Sequence, residues 1–426
     1  MPSHAASRPT RFALGLAAAL ALAACGGGGG DDDDDHAHEH HDIDTAGRLA
    51  IAESGSPTLR LHDLDSASVV ASFNLANSPS AVYASPGGRY ALALQRTQDT
   101  TQIVDGGIWQ EDHGDHDHDY KQEPRLLTLR LDGPQPTHYD DRAGQAALFM
   151  DGRAASAQNA SALLLTDAGI GAGQVAATLA LTAPMHGFAE PNGEHLVTSA
   201  LVAGATAPTQ VEIYRRQGSA YSFVQRLDAL CPGMHGSYTQ GQTTVAGCSD
   251  GALLVRPAAG GNFGATRVTA PSGISTIAGH PAMARFVGIG NSGTPSTTRF
   301  YDIDPATHAA TAIAIAGWGE GRLRRAHGFD RAGRTLFVLD DLGTLYALQY
   351  SAGAWATRAT VPGAVPSMPA AAPFPAFAAN GARDEVYLSD PNGRQLLVLD
   401  TAQLQVKQRV ALGFAPSYLT WLGIAR

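Results

Sequence analysis

A chain of 426 residues with a net charge of −10 and only 16% charged residues lacks the basic surface that nucleic acid requires of a partner. Its 48 Gly and 24 Pro favour many short strands and turns over long helices. Length alone suggests two or three domains, but internal repeats override that prior.

The chain opens on a targeting segment. Arg8 and Arg11 precede an apolar run at 12–24, too short for a comfortable membrane span, and small residues follow. Residues 1–24 therefore read as a signal peptide. Leu22-Ala23-Ala24-Cys25 resembles the bacterial lipobox, which implies that Cys25 is lipidated. With Gly26 in place of Asp, that resemblance implies a periplasmic protein held at the outer membrane of a Gram-negative bacterium. Residues 25–46 read as a tether: five glycines, five aspartates, then His36, His38, His40 and His41 among carboxylates. Such a tract is a solvated acidic spacer or a weak, multivalent site for a cation such as Zn²⁺.

From residue 47 onward the pattern is β, and 47–426 reads as one domain. Residues 48–52, 58–65 and 68–75 are strands, and 80–94 is strand, turn, strand. The same unit returns after His186, Ile274, His327 and Phe377, with turns built on Gly, Asn and Pro. Met185-His186-Gly187, Met234-His235-Gly236 and Ala326-His327-Gly328 share one motif. Residues 138–144 match 327–333 at five of seven places, which adds His138. From 138 to 186 is 48 residues, from 186 to 235 is 49, and from 235 to 327 is 92, twice 46. That period means stacked supersecondary units, most often propeller blades. Leader strands near 81, 138, 186, 235, 276, 327, 376 and 418 predict an all-β, eight-bladed propeller, or seven blades if the faint fifth leader fails. The C-terminal leader lacks followers and the N-terminal strands lack a leader, so the two ends should complete one blade and remove two sheet edges.

One interval is long, and its extra length is a charged loop at 111–120 carrying His113, His116, His118 and Asp119. Its glycine and charge predict mobility, with ordering entropy weakening any metal it binds. His138, His186, His235 and His327, at equivalent places in a ring, would point at one axis. There they could share a Zn²⁺, which takes about four N, S or O ligands. Singly, each would be a structural histidine bonded to backbone. Met185 and Met234 read as packing residues. Cys231 and Cys248, 17 apart around His235, read as a disulfide in an exported protein, with thiolate ligation of the metal as the alternative. No nucleophile elbow, phosphate loop, dinucleotide fingerprint or His-Glu-x-x-His motif is present.

The lipobox, the loop Asp112-His113-Gly114-Asp115-His116-Asp117-His118 and the repeated Met-His-Gly resemble the AztD-type periplasmic zinc metallochaperones, over about 47–426. The resemblance implies a non-enzymatic protein that binds Zn²⁺ and passes it to the zinc-specific solute-binding protein of an ABC importer. The Asp/His tail and the lipid anchor depart from that pattern. A metal-dependent propeller hydrolase or lactonase, and an interaction propeller without catalysis, are the other readings.

Overall fold

The structure, a computed structural model, describes residues 42–114 and 116–426. The signal peptide, Cys25 and the tail histidines His36, His38, His40 and His41 lie outside the described residues. No helix among the described residues is long and apolar enough to cross a membrane.

The chain is a series of four-stranded antiparallel units, most of them laid down in chain order as a meander, with the first completed by the last strand. The unit Gln145–Met150 shows why. Ala146 and Leu148 face one neighbouring sheet, while Ala147 and Phe149 face the other, so alternate residues are apolar on both sides. Strand Arg48–Glu53 does the same, with Leu49 and Ile51 on one side and Ala50 and Ala52 on the other. The apolar residues accordingly segregate into separate clusters, each shared by two successive sheets. Burying one such Leu or Ile is worth about 1.5–3 kcal/mol. The result is a propeller-like fold.

First strands sit beside one another. Pro136–Arg142 adjoins Ala189–Asn192, which adjoins His235–Gln240, which adjoins Thr276–Ala278. The faint fifth leader is therefore a strand, three residues long. The last strand, Pro416–Leu422, pairs antiparallel with Arg48–Glu53 and adjoins both Phe377–Ala379 and Ala81–Ala84. Two neighbouring sheets, those starting at Pro136–Arg142 and Ala189–Asn192, also touch through a single parallel bridge, Thr178 to Ala220.

The long interval is not a loose loop. Ile108–Asp112 and Asp117–Lys121 pair as a two-stranded ribbon, with Trp109 stacked on Tyr120 at 4.9 Å and the Arg89 guanidinium 3.6 Å above the Trp109 ring. The aromatic pair and the cation above it supply the anchorage that charge and glycine content did not suggest.

Candidate metal centre

His138 is the third residue of Pro136–Arg142 and His235 the first of His235–Gln240. Each lies opposite the fifth residue of its partner strand, Phe149 and Gly247, and each sits at a bulge. His186 precedes its strand, in the segment leading to Ala189–Asn192. That innermost strand tolerates Pro191 because its N–H side lies at a sheet edge.

Glycines after these histidines allow close approach. At Gly236 φ is +63°, and a Cβ there would lie 2.5 Å from the Ser275 carbonyl oxygen. At Gly187 a Cβ would meet Ser199 Oγ at 2.1 Å, and that hydroxyl accepts from the Phe188 N–H at 3.0 Å. The disulfide Cys231–Cys248 ties the segment before His235 to Thr243–Cys248, the strand paired with it. The cysteines are bonded to each other, so the thiolate-ligand alternative does not apply.

The three ring Nε2 atoms converge. His138 Nε2 is 3.2 Å from His186 Nε2, and His186 Nε2 is 3.2 Å from His235 Nε2. All three ligand atoms lie within 4.8 Å of one another. The far sides of two rings fix their tautomers. His186 Nδ1 is 2.9 Å from Asp151 Oδ2, a carboxylate that only accepts, and His235 Nδ1 is 2.8 Å from the Ser275 carbonyl oxygen. Neutral rings with Nδ1–H each carry a bare lone pair on Nε2. Two such lone pairs facing at 3.2 Å repel unless a proton or a metal cation lies between them. Two nitrogens bound at about 2.0–2.1 Å to a tetrahedral zinc stand about 3.3 Å apart, which is this spacing. Burial, followed by the neighbouring imidazoles, pushes the His138 pKa down to about 4, so its lone pair is free at neutral pH. His186 and His235 are open to solvent, and the donor set leaves one tetrahedral position for another group.

His327 is not brought to this cluster. It lies opposite Val338, the same rung as His138 and His235 counted from the turn, but its strand Arg324–Phe329 belongs to a sheet separated in chain order from that of His235 by the sheet starting at Thr276–Ala278. Its Nδ1 is 2.7 Å from the Arg324 guanidinium and so accepts, which places the ring proton on Nε2. A cation beside the ring repels a second one.

His113, His116 and His118 gather at the ribbon tip: ring centroids are 4.7 Å apart for His113 and His118, and Nε2 of His116 and His118 are 2.7 Å apart. Asp119 points elsewhere. It is buried, accepts from the Ile43 N–H at 2.8 Å and pairs with Arg426. The strand alternation that leaves His118 only half-buried turns Asp119 inward.

The ribbon and the three-histidine cluster lie at opposite ends of the sheets. Arg142 pairs with Gln145 next to the first turn, whereas His138 pairs at the far end. The ribbon follows Asp105, which pairs with Tyr90, at the turn end of its own sheet. Contacts between sheets keep the ends aligned: Arg142 reaches the Gly241 carbonyl at one end, and Arg153 reaches Asp99 at the other.

Between these ends lie carboxylates that motif reading passed over. Asp140 is two residues beyond His138, and burial with nearby Glu190 and Asp141 holds it well above the usual carboxylate range. Glu190 is 1% exposed, its Oε1 has no partner, and burial pushes it up to about 7.

No family model matches the chain. Over 214 residues it is 32% identical to the zinc chaperone AztD of Citrobacter koseri. The match covers 50% of this chain and spans about half the length of that relative, 48%. The crystal structure of Citrobacter koseri AztD superposes with a TM-score of 0.73 at 25% identity, covering 88% of this chain and 96% of that one. The likeness to AztD is one of sequence over half of the chain and of fold over most of it. A more distant likeness, dihydro-heme d1 dehydrogenase NirN at 12% identity and a TM-score of 0.54, extends to the fold alone. The group of convergent metal-ligating side chains found among the described residues is the three-histidine cluster.

Proposed function

We propose that this protein is a non-enzymatic zinc chaperone. It holds Zn²⁺ on His138, His186 and His235 in the central channel of an eight-bladed ring closed by its two terminal strands. It then passes the ion to the solute-binding protein of a zinc ABC importer in the periplasm. One observation carries the reading: the Nε2 atoms of His186 and His235, whose Nδ1 atoms are each engaged by an acceptor, face each other at the spacing of two zinc-bound nitrogens. Likeness to a protein named as a zinc chaperone supports the same ion. Transfer proceeds by ligand exchange. The position left by three histidines admits a ligand from the partner, and solvent-exposed His186 and His235 can then leave in turn. Zinc is never released free into water.

The ribbon histidines His113, His116 and His118, and the tail histidines His36, His38, His40 and His41, are secondary, weaker ligands that raise the local zinc concentration. Asp119 is not among them, because Arg426 and Ile43 hold it. Cys25 anchors the chain by lipid to the outer membrane.

Zinc titration against a competing chelator tests the reading. His186→Ala should weaken the tightest site at least a hundredfold, whereas His327→Ala should leave it within about twofold. A tight site indifferent to His186→Ala would defeat the assignment.

A further inference from the structure

Asp151 carries more than its histidine. The same oxygen, Oδ2, is 2.9 Å from His186 Nδ1 and 2.7 Å from a terminal nitrogen of Arg96, while Oδ1 is buried without a partner. Arg96 comes from the neighbouring sheet, in the connection after Tyr90–Gln95, and its Nε also donates to Thr137 Oγ1 at 2.9 Å, next to His138. A full positive charge thus sits immediately behind two of three metal-ligating residues. Holding the two connections together does not require it, since Arg153 and Asp99 already join them at 2.6 Å.

From this arrangement we infer that Arg96 is a positioning residue that weakens zinc binding, acting through Asp151, so that the ion can be given up. A carboxylate behind a ligating imidazole raises the basicity of that imidazole and tightens the metal. Arg96 draws on the same oxygen and lowers the negative charge felt at His186. The ring keeps its orientation and its Nδ1–H tautomer but becomes a weaker donor. A chaperone must bind tightly enough to capture and loosely enough to release, and this guanidinium moves the balance toward release. The inference rests on the three-histidine site proposed above.

The experiment is zinc affinity by chelator competition, together with the zinc dissociation rate, in Arg96→Met, Arg96→Lys and Asp151→Asn, with Arg96→Gln as a second neutral variant. The thermal midpoint of the zinc-free proteins reports folding. Arg96→Met should bind zinc about three- to tenfold more tightly and release it correspondingly more slowly. Arg96→Lys should stay within about twofold, and Asp151→Asn should weaken binding about tenfold. In the Asp151→Asn background, Arg96→Met should change affinity less than about twofold, because the shared oxygen charge is gone. Unchanged or weaker binding in both neutral variants, with the fold intact, overturns the inference. Full tightening without the Asp151 charge also overturns it, because Arg96 would then act on the ion directly. Tight binding that is lost in His186→Ala while Arg96→Met has no effect leaves the site standing and this inference failed. Absence of tight binding in the unaltered protein defeats the site itself.

Discussion

Asp151, Asp340 and Asp390 end equivalent second strands, yet they do different work. Asp340 accepts from the Leu342 and Thr344 N–H groups and Asp390 from the Gly393 N–H, so each caps its own turn. Asp151 instead holds His186 from the next sheet. A repeated aspartate is visible in the sequence; which copy meets a histidine is not. Glu190 shows the same limit and allows a test. Burial pushes it up to about 7, above its ordinary value of 4.5, so the folded chain keeps this proton where the unfolded chain has lost it. Stability contributed by the neutral form is complete below about pH 4.5 and is lost as pH rises through about 7. Glu190→Gln should therefore stabilise the zinc-free protein by about 1–3 kcal/mol at pH 8 and by little at pH 4.5. Denaturant unfolding at both pH values measures this, and equal effects would show that Glu190 is ionised in the fold throughout.

The ribbon is the element whose place most changes the mechanism. Its charge and glycine suggest a free arm that drops zinc into the cluster. Its strands are paired, Trp109 and Tyr120 pin its base, and it projects from the turn end of its sheet, away from His138. It therefore cannot complete the cluster. Replacing His113, His116 and His118 together with Ala should leave the tight dissociation constant within about threefold and remove weaker zinc equivalents, as read by calorimetry. Loss of the tight class in that variant would mean that the ribbon reaches the cluster and that this placement is wrong. The His-Gly repeat shows the converse case. His327-Gly328 carries the same two residues as His235-Gly236, but its place in a sheet not next to theirs and the Arg324 guanidinium keep it from the metal centre. The sheet that carries it and the neighbouring charge decide what a shared motif does.

At the scale of the molecule, the two chain ends are interdependent. Trp421 on the last strand donates from Nε1 to the Ala46 carbonyl at 2.9 Å and packs with Leu49, Ile51 and Tyr387. Gly47 and Gly381 crowd its ring so closely that a Cβ at either would meet it at 2.6 Å and 2.5 Å. Trp421→Ala should cost about 3–5 kcal/mol, the usual range for a buried aromatic residue. It should also lower the midpoint of the whole domain, since the lost contacts join residues nearly 400 positions apart. A loss under about 1 kcal/mol in denaturant unfolding would show that the terminal strands add little to the closure of the fold.

What the sequence determined by itself was everything periodic. The strand spacing, the recurrence of leaders near 81, 138, 186 and 235, and the incomplete units at both ends follow from local alternation and turn chemistry, which neighbouring residues dictate. The alignment of His138 with His186 and His235 follows too, because equal intervals in a repeat become adjacent places in space. The pairing of Cys231 with Cys248 needed only their count and the export that the first 24 residues suggest. What the tertiary structure alone decided was facing and partnership. Whether a histidine meets two others or an arginine depends on which first strands are neighbours and on the side chains beside the ring, Asp151 from the adjoining sheet for His186 and Arg324 from its own strand for His327. The ribbon's opposition to the cluster likewise arises only when the sheets are stacked with their turn ends aligned. Register and stacking are set by packing over long sequence separations, and no local pattern encodes them.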